Sequence, residues 1–195
     1  MKTWLSTIIS LTLIFLTASV VANETDEHLV DPGKVLGFVI GDWNDDGGMD
    51  RAILVAPDNE DDDVGLYIYL QDDDNSSQLE LYKPNLVWSG AMWGNMPSLS
   101  VTSSGSLQVL SQNQAIGRSR WSQKLTVAYR NNHFVVAGYT YDAYDTLDLN
   151  AGLNCDVNLL TGKGVKNKIS FRIAKQNIKL ADWTEESVPE PCRSE

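Results

Sequence analysis

The chain has little of what most catalysis and zinc chemistry require: its 195 residues include two histidines and two cysteines. His28 lies in a polar N-terminal stretch and His133 beside Asn131 and Asn132 at a turn, so no zinc-ligand spacing arises. No serine stands in a Gly-x-Ser-x-Gly elbow, which removes that route to a nucleophile. Basic side chains are also scarce, with 15 Lys and Arg against 26 Asp and Glu and a formal charge of -11. Phosphate backbones and anionic lipids are therefore poor partners, since binding them rests on basic residues displacing counterions, whereas cations are natural ones. No segment beyond the N-terminus keeps a helical period, and no internal repeat stands out.

The N-terminus carries an export signal. Lys2 precedes an uncharged apolar run from Trp4 to Val21, and Val20 and Ala22 supply the small residues required before a cut. A signal peptide at 1–22 is expected, with Asn23 beginning one domain, 23–195. No cysteine follows the small residues to accept a lipid, so no membrane insertion is expected after cleavage and the destination is the periplasm or the exterior. In such an oxidising compartment Cys155 and Cys192 are expected to form a disulfide that pins the C-terminal tail.

What is abundant is strand-forming sequence. Short apolar or alternating runs recur between clusters of Gly, Asn, Asp and Ser, the pattern of an all-β domain. Strands are expected at 35–42, 51–56, 64–70, 78–82, 85–88, 98–102, 107–111, 122–130, 134–141, 154–160 and 168–174. In Gly65 to Leu70 the aliphatic Leu66, Ile68 and Leu70 alternate with tyrosines and share one sheet face. Asn131-Asn132-His133 suits a hairpin between 122–130 and 134–141, and Ser103 to Ser106 suits another before Leu107. The architecture expected is a twisted antiparallel meander or sandwich.

One loop carries a sharp chemical pattern. Asp42, Asn44, Asp46 and Asp50 place side-chain oxygens at positions one, three, five and nine, with Gly47 at six and the Gly48 carbonyl available at seven. Calcium takes six to eight oxygens at about 2.3 to 2.6 Å, and alternate residues of a tight turn aim their oxygens inward. Gly47 answers the sharp turn, where a positive φ is needed. Position twelve is Ile53 rather than the glutamate of a helix-flanked calcium hand, and the flanks read as strands. Phe38 to Val55 resembles the strand-loop-strand FG-GAP or VCBS-type repeat, which binds calcium in β-propellers. That resemblance implies a propeller-blade-like N-terminal unit with ligands Asp42, Asn44, Asp46, Gly48 and Asp50, Asp45 facing solvent in place of a usual glycine. The stretch Gly105 to Gly164, with Asn113 to Arg118, Trp121 and Asn154 to Lys163, is similar to exported proteobacterial proteins, which supports export and supplies no activity.

Weaker groupings remain. Asp58 to Asp63 and Asp72 to Asn75 read as solvated acidic loops. Trp88, Trp93 and Trp121 with Tyr139, Tyr141 and Tyr144 are either core or a platform for a sugar ring, with Asp142 and Asp145 as hydroxyl acceptors; Trp88 and Trp93 are the leading pair. Arg118 and Arg120 suit an anion clamp or, given the net charge, pairing with acidic loops. The expectation is an exported calcium-binding β-protein, more a binding or interaction module than an enzyme, whose partner is a protein or a cell-envelope glycan. The alternatives are a carbohydrate-active hydrolase using acidic residues and an inhibitor of an envelope-acting toxin.

Overall fold

A computed structural model describes residues 30–59, 61–72, 74–90, 92, 94–148 and 150–193. The expected signal peptide, His28 and Trp93 lie outside these residues. The fold is all-β and antiparallel, with two sheets of four and eight strands. The first sheet runs β1 (Val35–Gly41), β2 (Asp50–Val55), β3 (Val64–Gln71) and β4 (Ser77–Val87) in sequence order.

The second sheet continues the meander through β5 (Ser98–Val101), β6 (Leu107–Asn113), β7 (Ser119–Arg130), β8 (His133–Asp145), β9 (Leu153–Asn158), β10 (Lys163–Lys166) and β11 (Ile169–Arg172). The two-residue β12 (Ile178–Lys179) pairs with Val135 and Val136 of β8. It lies beyond the point where β9 leaves that strand at Gly138. Short 3-10 turns follow at Leu180–Asp182, Glu185–Ser187 and Glu190–Cys192.

Strand alternation explains the core. Ala52, Leu54, Leu66 and Ile68 from the first sheet meet Leu107, Val109, Leu125, Val127 and Val136 from the second in one buried cluster. Cys155 and Cys192 join that cluster as a disulfide, as the sequence led us to expect. Asn131 and Asn132 both take positive φ, 52° and 61°, and form a two-residue turn between Arg130 and His133. That backbone is the one a type I′ hairpin requires, so His133 opens β8 rather than belonging to the turn. Asn167 and Lys168, at 47° and 71°, make the same turn between β10 and β11.

The sequence suggests two strands around Pro84, yet β4 runs through it. Between β3 and β4, the step from Val64 to Leu66 spans Val87 to Lys83, so the extra residues bulge out, with Asn85 at a φ of 50°. Because β4 is the outermost strand of its sheet, the amide that proline lacks is not missed.

Candidate functional site

Two places gather polar or aromatic side chains that the core does not explain: the loop from Asp42 to Asp50, and a cleft under the C-terminal tail.

The loop joins β1 to β2 where Gly41 pairs with Asp50. Trp43 anchors it. The indole is buried and packs over Gly41, where an added Cβ would lie 2.8 Å from the ring. The side chains then turn to the loop's own amides. Asp42 accepts from the N–H groups of Asp46 (3.2 Å) and Gly47 (3.0 Å), and Asp46 accepts from Gly48 N–H (2.6 Å) and from Asn44 Nδ2 (2.6 Å). Gly47 has a φ of 88°, as the tight turn demands, and Asp45 is exposed at a φ of 61°, a conformation glycine would adopt more readily. Gly48 has no room for a side chain, since a Cβ would come within 2.8 Å of both Asp46 Oδ1 and Gln71 O.

Asp50 is the unusual member. It is fully buried, and its two oxygens accept from Trp43 N–H at 2.8 Å and Gln71 N–H at 3.1 Å. Burial raises its pKa above the ordinary carboxylate value against the pull of those two amides, and the charges of Asp46 and Asp42 raise it further. Among the described residues no ion pair reaches any of the three acids. The donor set, all oxygen and net acidic, is therefore chemically suited to calcium. Its arrangement is not that of a closed metal cage: among the described residues no three acidic, histidine or cysteine side chains converge as a metal-holding group.

The acidic runs elsewhere are mostly exposed, as expected. Asp58 pairs with Lys34, and Asp72 accepts from Ser76 Oγ and Gln78 Nε2. Asp63 differs by lying half-buried at the foot of β3, where it lines the cleft.

The cleft, of about 520 Å³, opens between the inner surface of the two sheets and the tail. Trp88 leaves β4, Trp121 comes from β7, and Tyr139 and Tyr141 come from β8. Trp183, between two 3-10 turns of the tail, completes the aromatic lining. The rings are in contact: Trp88 and Trp121 have centroids 5.5 Å apart, Tyr139 and Tyr141 stack at 6.4 Å, and Trp183 lies 6.0 Å from Tyr139. Polar groups of Asn85, Gln123, Asp63, Thr184, Glu185 and Arg193 share the lining. Burial raises the Asp63 pKa, with the charges of Glu185 and then Asp62 adding to it. Cys192 also lines the cleft, so the disulfide to β9 holds this wall in place.

The aromatic set read from the sequence is thus divided. Trp88, Trp121, Tyr139 and Tyr141 come together, but Tyr144 donates instead to Gln114 Oε1 at 3.3 Å. Asp145 forms an ion pair with Arg118 at 2.6 Å, and Asp142 accepts from Asn154 Nδ2. Arg118 therefore meets an acid, the outcome the net charge favours. Trp183, Asp63 and Glu185 were not singled out by sequence reasoning as cleft residues. Beside the disulfide expected at Cys192, the sparse apolar positions Leu180, Trp183 and Val188 in an otherwise polar tail are the signal that it packs down.

Comparison with protein-family models, with curated proteins and with solved structures finds no match to this chain.

Proposed function

We propose that this protein is an exported binding module that takes a hydroxyl-rich, ring-shaped ligand, a cell-envelope saccharide, in the aromatic cleft. The observation that carries this reading is the combination of Trp88, Trp121, Tyr141 and Trp183 with amide, carboxylate and guanidinium groups in a cleft of about 520 Å³. Ligand sites fall between roughly 300 and 1,000 Å³ and combine an apolar lining with a few polar groups. Pyranose rings present an apolar C–H face that stacks on indoles and hydroxyls that suit Asp63, Gln123 and Glu185. The loop at Asp42 to Asp50 serves as a calcium site in this reading, with Asp42, Asn44, Asp46, Asp50 and the Gly48 carbonyl as the groups that would hold the ion. The FG-GAP or VCBS likeness supports that assignment, as does the buried Asp50 with acids near it and, among the described residues, no ion-pair partner.

Titration of tryptophan fluorescence with a soluble N-acetylhexosamine trisaccharide tests the cleft. The expected result is saturable quenching that a Trp88→Ala/Trp121→Ala double variant loses while remaining folded. Absence of binding by this probe and by a neutral hexose trisaccharide would overturn the reading.

A second reading, a carbohydrate-active hydrolase, is favoured by one observation: Asp63 and Glu185 line the same cleft, and their mutual repulsion adds to the burial that biases Asp63 toward its protonated form. Paired carboxylates with separated pKa values are the usual acid and base of glycoside hydrolysis. Release of reducing ends, abolished in Glu185→Gln with binding retained, would establish this reading over the first.

A further inference from the structure

The first sheet has a second face, turned away from the core, that is aromatic and aliphatic apart from Arg51, whose guanidinium donates to Ser77 Oγ at 2.6 Å. Register places Phe38, Ile53, Tyr67 and Tyr82 side by side across all four strands. One step along, Ile40, Arg51, Tyr69 and Leu79 form a second row. Directly opposed residues share a sheet face, so these two rows make one continuous surface. Their neighbours in sequence, Ala52, Leu54, Leu66 and Ile68, are the ones buried in the core.

The outer rows are not buried. Phe38 is 68% exposed, Ile40 47% and Tyr82 45%. Tyr67 stacks on Tyr82 with centroids 4.3 Å apart and on Tyr69 at 6.5 Å, so the tyrosines form a pre-ordered shelf rather than loose side chains. Partial burial pushes the Tyr67 phenol up to about 12, with its hydrogen bond to Tyr82 next in size and the charge of Asp58 a smaller contributor. Ordered aromatics on a contiguous exposed apolar face mark an interaction surface.

Charge decides what fits. At one end of the shelf stand Asp45, Asp72 and Asp74, beside the Asp42 and Asp46 assigned above to calcium; at the other stand Asp61 and Asp62, beside Asp58, which is paired with Lys34. These acidic rims are separated by the length of β2, six residues or about 20 Å. A second copy of the chain would bring its own rims against these, and like charges across an interface oppose docking.

We infer that this outer face docks a polypeptide segment of another protein that presents apolar side chains flanked at both ends by Lys or Arg. The apolar middle covers Phe38, Ile40, Tyr67 and Tyr82, and the flanking cations meet the acidic loops and the edges of the tyrosine shelf, where cation–π attraction adds to ion pairing. This surface is separate from the cleft and does not depend on what the cleft binds.

Three synthetic peptides of equal length test it by calorimetric titration into the mature chain: a six-residue Val-Tyr alternation flanked by Lys-Lys at each end, the same middle flanked by Glu-Glu, and a Gly-Ser middle flanked by Lys-Lys. The expected result is that the first binds at least tenfold more tightly than either other, and that Phe38→Ser/Tyr82→Ser weakens it at least tenfold with an unchanged melting temperature. Ile40→Thr alone, which keeps a β-branched side chain in the strand, is expected to weaken it several-fold. Equal binding of the Gly-Ser peptide would reduce the effect to net charge and overturn the proposal. So would unchanged binding in the variants, a concentration-dependent dimer that the double variant abolishes, or binding that appears only after residues before Val30 are removed.

Discussion

Trp43 meets Phe134 edge to face across the core, with ring centroids 6.2 Å apart and an interplanar angle of 75°. The contact ties the acidic loop of the first sheet to β8 of the second. The same residue's backbone N–H reaches Asp50, whose other oxygen holds the Gln71 amide at the end of β3. Loop order and core packing are therefore coupled through one residue, its indole in the core and its N–H on Asp50. Trp43→Ala is expected to cost about 3 to 5 kcal/mol, the usual range for deleting a buried aromatic, and to lower the melting midpoint by on the order of 10 °C. An unaltered midpoint in thermal unfolding would show that the loop is not anchored this way.

Calcium should act on the same coupling. Binding to the folded state alone stabilises by mass action, about 2.7 kcal/mol at a hundredfold excess over Kd. The protein is expected to melt several degrees higher in millimolar calcium than in chelator, and Asp46→Ala should remove the difference. Equal midpoints across millimolar calcium would take calcium out of the account and leave the loop as a self-capped turn, with Asp42 and Asp46 bonded only to its amides.

The fold was largely legible because alternation is a local signal. Leu66 and Ile68 are buried and Tyr67 and Tyr69 face outward, as their period of two implies. Two features escaped for physical reasons. β10 reads as a polar glycine-containing stretch, and it is a strand because Gly164 leaves room for the Phe171 ring across the ladder, where a Cβ would lie 2.3 Å from the ring. β4 reads as broken because Pro84 removes an amide, a loss that only an edge strand tolerates, and edge position is a property of the whole sheet. At the candidate sites, Gly47 was legible from turn chemistry, and the exposed position of Asp45 only from the likeness to the strand-loop-strand repeat. The cleft was not, because Trp183 and Glu185 reach it through the tail, whose path is set by long-range packing and the disulfide.

That disulfide should matter for both stability and binding. Cys155 and Cys192 are 37 residues apart, and closing a loop of that size stabilises by about 4 kcal/mol on the chain-entropy account. Cys192→Ser is expected to lower the melting midpoint by on the order of 10 °C and to weaken cleft binding more than binding to the outer face of the first sheet. Loss of stability with cleft affinity intact would mean that Trp183 and Glu185 hold their places without the bond.

Asp63 predicts a pH dependence whose sign follows from its environment. Its folded-state pKa is raised by burial first, then by Glu185 and Asp62, so the folded protein binds its proton more tightly than the unfolded chain does. This contribution therefore favours folding at low pH and is lost as pH climbs from the unfolded carboxylate value through the raised folded one. Denaturant unfolding of Asp63→Asn should lack that component: the difference in stability between variant and native protein is expected to shift toward the variant as pH rises from about 4 to 7. A difference that stays flat over this range would show that the charged form of Asp63 is fully solvated, and would also remove the physical basis for an acid-base role beside Glu185.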